Sequence, residues 1–246
     1  MRQSCDSAGR RIRQKSIDKE EDSDMESIVI VGGHGKVALH LARLLADRGD
    51  DATSVIRKAE QKADIEQAGG TPLVLDVENA DVDEMAKAFS GADAVVWSAG
   101  AGGGSAERTY AVDRDAAQRA VDAASKAGIR RFVMVSWIGS TPDHGIDPDD
   151  SFFAYADAKL AADDHLRASD LDWTILGPGT LTTDEPTGRI TTAPQGKAEV
   201  SRADVAAVAA AVLVQPATVG RFIRFGAGDT LIAEAIVADR ADGGQA

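Results

Sequence analysis

From Ser27 onward, short apolar runs alternate with stretches in which apolar residues recur at helical spacing. Ser27–Val31 (SIVIV) is apolar almost throughout, as a strand buried on both faces must be. In Lys36–Arg48, residues Val37, Leu41, Leu44 and Leu45 share one helical face. Read the same way, the chain predicts further strands at 52–57, 72–75, 92–97, 131–135, 172–176 and 221–225. It predicts helices over 59–68, 82–89, 107–127, 152–168, 203–214 and 231–238, with Gly128 closing the longest. Strand and helix alternate with short connections and no internal repeat. That is the signature of an α/β chain, a doubly wound parallel sheet with helices on both faces. The span 177–201 is irregular and rich in Gly, Pro and Thr, and is expected to form a small C-terminal cap over the ligand crevice.

Composition narrows the function. The chain has 246 residues, 27 basic and 40 acidic, for a net charge of −13. That balance speaks against nonspecific binding to nucleic acid or to an anionic membrane surface. The longest apolar stretch, 205–214, falls short of the ~18 residues of a membrane span. No apolar core follows Arg2, Arg10, Arg11 and Arg13, so the start does not read as a secretory signal, and a soluble, cytoplasmic protein is expected. The single cysteine, Cys5, excludes an intrachain disulfide. His34, His40, His144 and His165 are scattered without metal-ligand spacing, so no metal site is expected. Residues 1–24 carry balanced charge and only Ile12 and Ile17 as apolar anchors, and are expected to be a disordered extension. Residues 25–246 are expected to form one nucleotide-binding domain.

The first strand runs into Gly32-Gly33-His34-Gly35-Lys36-Val37-Ala38, a G-x-x-G-x-x-A pattern between strand and helix. The turn needs Gly32, a close pyrophosphate needs Gly35, and helix packing needs a small residue at 38. The helix N-terminus then presents N–H groups and partial positive charge to phosphate. Residues 32–37 are therefore expected to hold a dinucleotide. An NAD site wants a carboxylate at the end of the second strand, but here Arg57 and Lys58 stand there. With two cations and no carboxylate, the expected cofactor is NADP(H), Arg57 holding the 2′-phosphate. Asp76 and Val77 are expected beside the adenine, and Ser98, Ala99 and Gly100 beside the nicotinamide half.

Tyr155 and Lys159 form Y-x-x-x-K, one helical turn apart. An ammonium beside a phenol lowers its pKa, and the phenol can then exchange a proton with a carbonyl or alcohol. Together with the glycine loop, Arg57, Asp76, Tyr110-Ala-Val-Asp113, the strand RFVMVSWIG, Gly177-Pro178-Gly179 and Ser201-Arg202-Ala203-Asp204-Val205, this pair resembles the short-chain dehydrogenase/reductase superfamily. The likeness is to its atypical, single-domain, NmrA-like and epimerase-like branch. It implies a Rossmann fold and an NADP-dependent oxidoreductase acting on a small carbonyl or alcohol. Tyr155 would be the acid/base and Lys159 would tune it and touch the nicotinamide ribose. Asp113 would take the place of the superfamily's Asn and support Lys159 or a water. The chain departs from the family pattern where Trp137 follows Ser136 and where Gly177 stands for Arg. Ser136, or else Ser140, would then polarise the substrate oxygen. Trp97 and Trp137 either line the nicotinamide pocket or are simply buried. Two alternatives stand beside the enzyme: an NADP(H)-binding sensor without turnover, and a sugar epimerase or dehydratase. Surface helices in such a fold serve monomers and homodimers alike.

Overall fold

The computed structural model describes residues 26–238, so the expectations for 1–24 and Cys5 lie outside the described residues. The strands are β1 Ser27–Val31, β2 Asp51–Ile56, β3 Thr71–Val74, β4 Ala94–Trp97, β5 Arg131–Val135, β6 Asp172–Pro178, β7 Thr180–Thr182, β8 Arg189–Thr191, β9 Glu199–Ser201, β10 Arg221–Ala227 and β11 Thr230–Leu231. The helices are α1 Lys36–Arg48, α2 Lys62–Gln67, α3 Val82–Phe89, α4 Ala106–Thr109, α5 Ala117–Lys126, α6 Phe153–Arg167, α7 Arg202–Leu213 and α8 Ile232–Ala238. Among the described residues the main sheet has the order β11-β8-β10-β6-β5-β4-β1-β2-β3.

From β3 through β10 the strands pair in parallel, as the alternation predicts. The far edge is antiparallel, because the short strand β8 returns beside β10 and β11 in turn pairs with β8. Strand β1 lies between β2 and β4, with Val31 opposite both Val55 and Trp97. The chain order reverses there, and a crevice opens at the strands' carboxyl ends. One face of the sheet is covered by α1, α7 and α8, through residues such as Leu41, Val205, Val208 and Ile236. The other is covered by α3, α5 and α6, through Met85, Phe89, Val121 and Leu166.

Local chemistry sets the ends of these elements. Gly49 takes a left-handed conformation, φ 94°, and returns its N–H to Ala46 and Leu45, closing α1. Asp81 and Glu84 cap α3 reciprocally. The helix expected over 107–127 is not uniform. Between α4 and α5 the backbone widens into a π-helical segment, Tyr110–Ala116, which turns Asp113 inward. The irregular span after β6 holds the short strands β7, β8 and β9, too short to show a period. Buried Asp204 secures it, accepting from Thr187 N (3.0 Å), Gly188 N (2.8 Å) and Ser201 Oγ (2.9 Å). No helix among the described residues is long and apolar enough to cross a membrane.

Candidate functional site

At the switch point lies a cleft of about 310 Å³. Gly32, His34 and Gly35 line it from the loop after β1. Gly32 has φ +82°, and a Cβ there would lie 2.6 Å from the Ala99 Cα, so only glycine fits. Gly35 is the N-cap of α1 and offers no side-chain cap, and the first turn carries no acid. The N–H groups at this end are open to an anion. Gly33 faces away, with its N–H on Val55 O at 2.9 Å and its Cβ position filled by Ser54. Lys36 lines a second cleft on the outer face of α1, and the Val37 side chain is buried in the core. Of the expected cofactor residues, Gly33, Lys36 and Val37 are thus not brought to this cleft by their side chains.

The other walls come from the ends of β2, β3 and β4, with Arg57, Asp76, Val77, Ser98, Ala99 and Gly100 all lining the cleft. Three further residues, which the sequence reading did not single out, stand among them. Glu78 Oε2 lies 3.9 Å from Arg57 Nη1 and 3.3 Å from Arg108 Nε, and Arg108 also donates to Ala101 O. The expectation of cations without a carboxylate is therefore corrected. Strand β3 is neighbour to β2, and the loop after it returns Glu78 to Arg57. Gln61 donates to His34 Nδ1 (3.1 Å) and accepts from Lys58 N (3.2 Å), while His34 Nε2 meets Asp64 (2.7 Å). The glycine loop is thereby tied to the chain just after Arg57.

Tyr155, Lys159, Ser136 and Asp113 lie beyond the lining of this cleft. Tyr155 and Lys159 do share one face of α6, which packs on the π-helical segment holding Asp113. Lys159 is fully buried and donates from Nζ to Val135 O at 2.8 Å. Asp113 accepts from Ala101 N at 2.9 Å, so it anchors the loop after β4 rather than Lys159. The Ser136 hydroxyl is not free to polarise a substrate. It donates to Asp163 Oδ2 at 2.6 Å, and Ser140 does the same at 2.6 Å. Asp163 continues the stripe one turn beyond Lys159. The i, i+4, i+8 repeat Tyr155–Lys159–Asp163 was the signal that could have found it. Its other oxygen, Oδ1, is buried and accepts no hydrogen bond.

These carboxylates change the expected electrostatics. Burial raises the Tyr155 pKa, and negative charge on Asp113 and Asp163 raises it further. The expected lowering by Lys159 is not found; that ammonium donates to Val135 O. Burial likewise raises Asp163, against the opposing pull of Lys159 and the two serine hydroxyls. Arg224 on β10, its pKa lowered by burial, donates to Ile138 O (3.1 Å) and Ser140 O (3.3 Å), fixing the same turn from the other side. Trp137 packs at 6.4 Å from Tyr155 and 5.1 Å from Phe152, and its ring fills the space a Cβ at Gly139 would need. Trp97, by contrast, is wholly buried in the core and lines nothing.

Residues 32–216 match the model of a family described as NAD(P)H-binding. An uncharacterized sugar epimerase of Bacillus subtilis is 36% identical over 213 residues, covering 85% of this chain and 98% of that protein. A solved structure of a candidate NAD-dependent epimerase/dehydratase from Bacillus halodurans is 33% identical with a TM-score of 0.79, covering 86% of this chain and 98% of that one. The solved oxidoreductase ylbE of Lactococcus lactis is 30% identical with a TM-score of 0.77, covering 89% and 99%.

Proposed function

The chain belongs to the NAD(P)H-binding family, and from that premise we propose that it is an NADP(H)-dependent oxidoreductase acting on a small carbonyl or alcohol. In this reading residues 25–246 act as one domain, and the nucleotide lies along the switch-point cleft. The residues there suit a dinucleotide: a glycine whose Cβ would be excluded, an uncapped helix N-terminus, and Arg57 and Arg108 at the far end. The loop at Gly32 and Gly35 would face the pyrophosphate, Asp76 and Val77 the adenine, and Arg57 the 2′-phosphate. A bound nicotinamide supplies hydride.

The observation that carries the acid/base role is the placement of Tyr155, which shares one face of α6 with Lys159. A phenol there can give a proton to a carbonyl oxygen that is gaining hydride, or take one from an alcohol in the reverse direction. Burial and the charges of Asp113 and Asp163 raise its pKa and so weaken it as an acid. Lys159 holds its ammonium on Val135 O, one helical turn from the phenol. Trp137 and Phe152 pack next to Tyr155 as an apolar flank.

One observation favours a second reading, a sensor that binds NADP(H) without turnover. The Ser136 hydroxyl is spent on Asp163, which leaves Tyr155 as the only one of the expected hydroxyls directed to catalysis. Paired titrations with NADPH and NADH, followed by a carbonyl and quinone panel on parent and Tyr155→Phe, separate the two. Binding with Tyr155-dependent oxidation of NADPH is the expected result. Tight binding with no turnover assigns the protein to the sensor class, and no binding of either nucleotide overturns both.

A further inference from the structure

We infer that Glu78 sets the balance between the two nicotinamide dinucleotides, holding down the preference for a 2′-phosphate that Arg57 and Arg108 would otherwise create. The inference rests on the reading of the switch-point cleft as the nucleotide site and adds to it a residue whose charge opposes the two arginines.

The argument begins with position. Glu78 Oε2 stands between the two guanidinium groups, 3.9 Å from Arg57 Nη1 and 3.3 Å from Arg108 Nε. All three side chains line the same cleft. The carboxylate is not on a loop free to withdraw. Arg119, on α5, donates to Glu78 O at 2.9 Å, to Val77 O at 3.2 Å and to Ala80 O at 3.0 Å. The Glu78 N–H is turned to Asp76 Oδ1 at 3.3 Å. Backbone contacts on both sides thus hold the turn from Asp76 to Ala80, and Glu78 with it.

Chemistry then decides the sign. A 2′-phosphate carries about −1.5 to −2 charge near neutral pH and seeks guanidinium N–H groups in pairs. At this end of the cleft those donors already face a carboxylate. The phosphate must compete with Glu78 for them and tolerate its charge. A ribose 2′-hydroxyl meets the opposite situation, because it can donate to a carboxylate and repels nothing. Of the other polar groups nearby, Lys58 pairs with Glu60 at 3.7 Å, His34 bonds Asp64 at 2.7 Å, and Asp76 accepts from Asn79 Nδ2 at 2.8 Å. Among the residues lining the cleft, two arginines thus stand against the carboxylates of Glu78 and Asp76, and only Glu78 pairs with the arginines, a site that admits both dinucleotides. Arg57 and Glu78 pull it in opposite directions.

The experiment is a fluorescence titration of the full-length protein with NADPH and with NADH, in parent, Glu78→Gln and Glu78→Asp. Removing the charge in Glu78→Gln should tighten NADPH by about tenfold, as expected for relief of a like-charge contact with charge-assisted donors restored. NADH should weaken by about two- to threefold with loss of the ribose acceptor. Glu78→Asp, which keeps the charge, should stay near the parent ratio. Because the groups are partly exposed, the gain in Glu78→Gln should shrink as ionic strength rises. An unchanged NADPH/NADH ratio in Glu78→Gln overturns the inference while leaving the cleft assignment intact. Failure of the parent to bind either nucleotide overturns the assignment of the cleft itself.

Discussion

At the Arg57 end of the crevice, charged groups meet in pairs that water still reaches: the Arg57 side chain is 48% exposed and that of Glu78 27%. At the Tyr155 end the charges are sealed, with Lys159 at 1% and Asp163 at 0% exposure. The first arrangement can rearrange around a ligand at little cost, because exposed pairs contribute little and are screened by salt. The second cannot, because each buried group depends on its partners for compensation. The groups around Arg57 are therefore free to rearrange, and those behind Tyr155 hold a turn of chain in place.

The contrast is sharpest at Tyr155. Tyr155→Phe removes only the proton donor, so turnover of a carbonyl found in the panel should fall by about 10²–10⁴-fold while NADPH binding is retained. Retained turnover would remove the acid from the mechanism. Asp163→Ala strips the two serine hydroxyls of their common partner, and chemical denaturation should show a loss of about 1–3 kcal/mol. A loss below about 1 kcal/mol would place the cluster with the adjustable, exposed pairs. At the other end, Arg57→Glu should weaken NADPH by more than about tenfold, leave NADH little changed and leave stability unaltered. Equal loss of both nucleotides would mean that Arg57 does not read the 2′ position.

The smallest effect is a slope with pH. Burial holds the Asp163 pKa above its ordinary 3.8, so its contribution to stability is full below that value and is lost as pH rises through the raised folded pKa. The stability of the parent relative to Asp163→Asn should therefore fall as pH rises towards neutrality. Asp172, whose pKa the hydrogen bond from exposed Arg130 lowers, should give Asp172→Asn the opposite slope. Melting curves across acid to neutral pH measure both, and matching slopes would erase the distinction between a sealed carboxylate and an exposed one.

Features confined to one turn of chain were legible in advance. The glycine loop follows from a tight strand-to-helix turn, and the Tyr155/Lys159 face from the helical period. The parallel sheet follows from apolar runs buried on both faces. What escaped were meetings between distant segments. Glu78 faces Arg57 only because β2 and β3 are neighbours, and Arg224 reaches the turn at 138–140 only because β10 lies beyond β6. The π-helical turn that buries Asp113 also left no trace in the residue pattern, since its extra residue per turn is stabilised by packing against α6. Strands of three residues or fewer, such as β7, β8, β9 and β11, are too short for alternation to register.

The order of strands and helices, the glycine-rich loop and the spacing of phenol and ammonium are properties of the chain itself, because each depends on periodicity or on backbone angles within a few residues. The protonation of Tyr155, the engagement of Ser136 and the charge balance around Arg57 belong to the folded molecule. They depend on desolvation and on partners drawn from separate strands and helices, and both come into being only when the sheet has assembled.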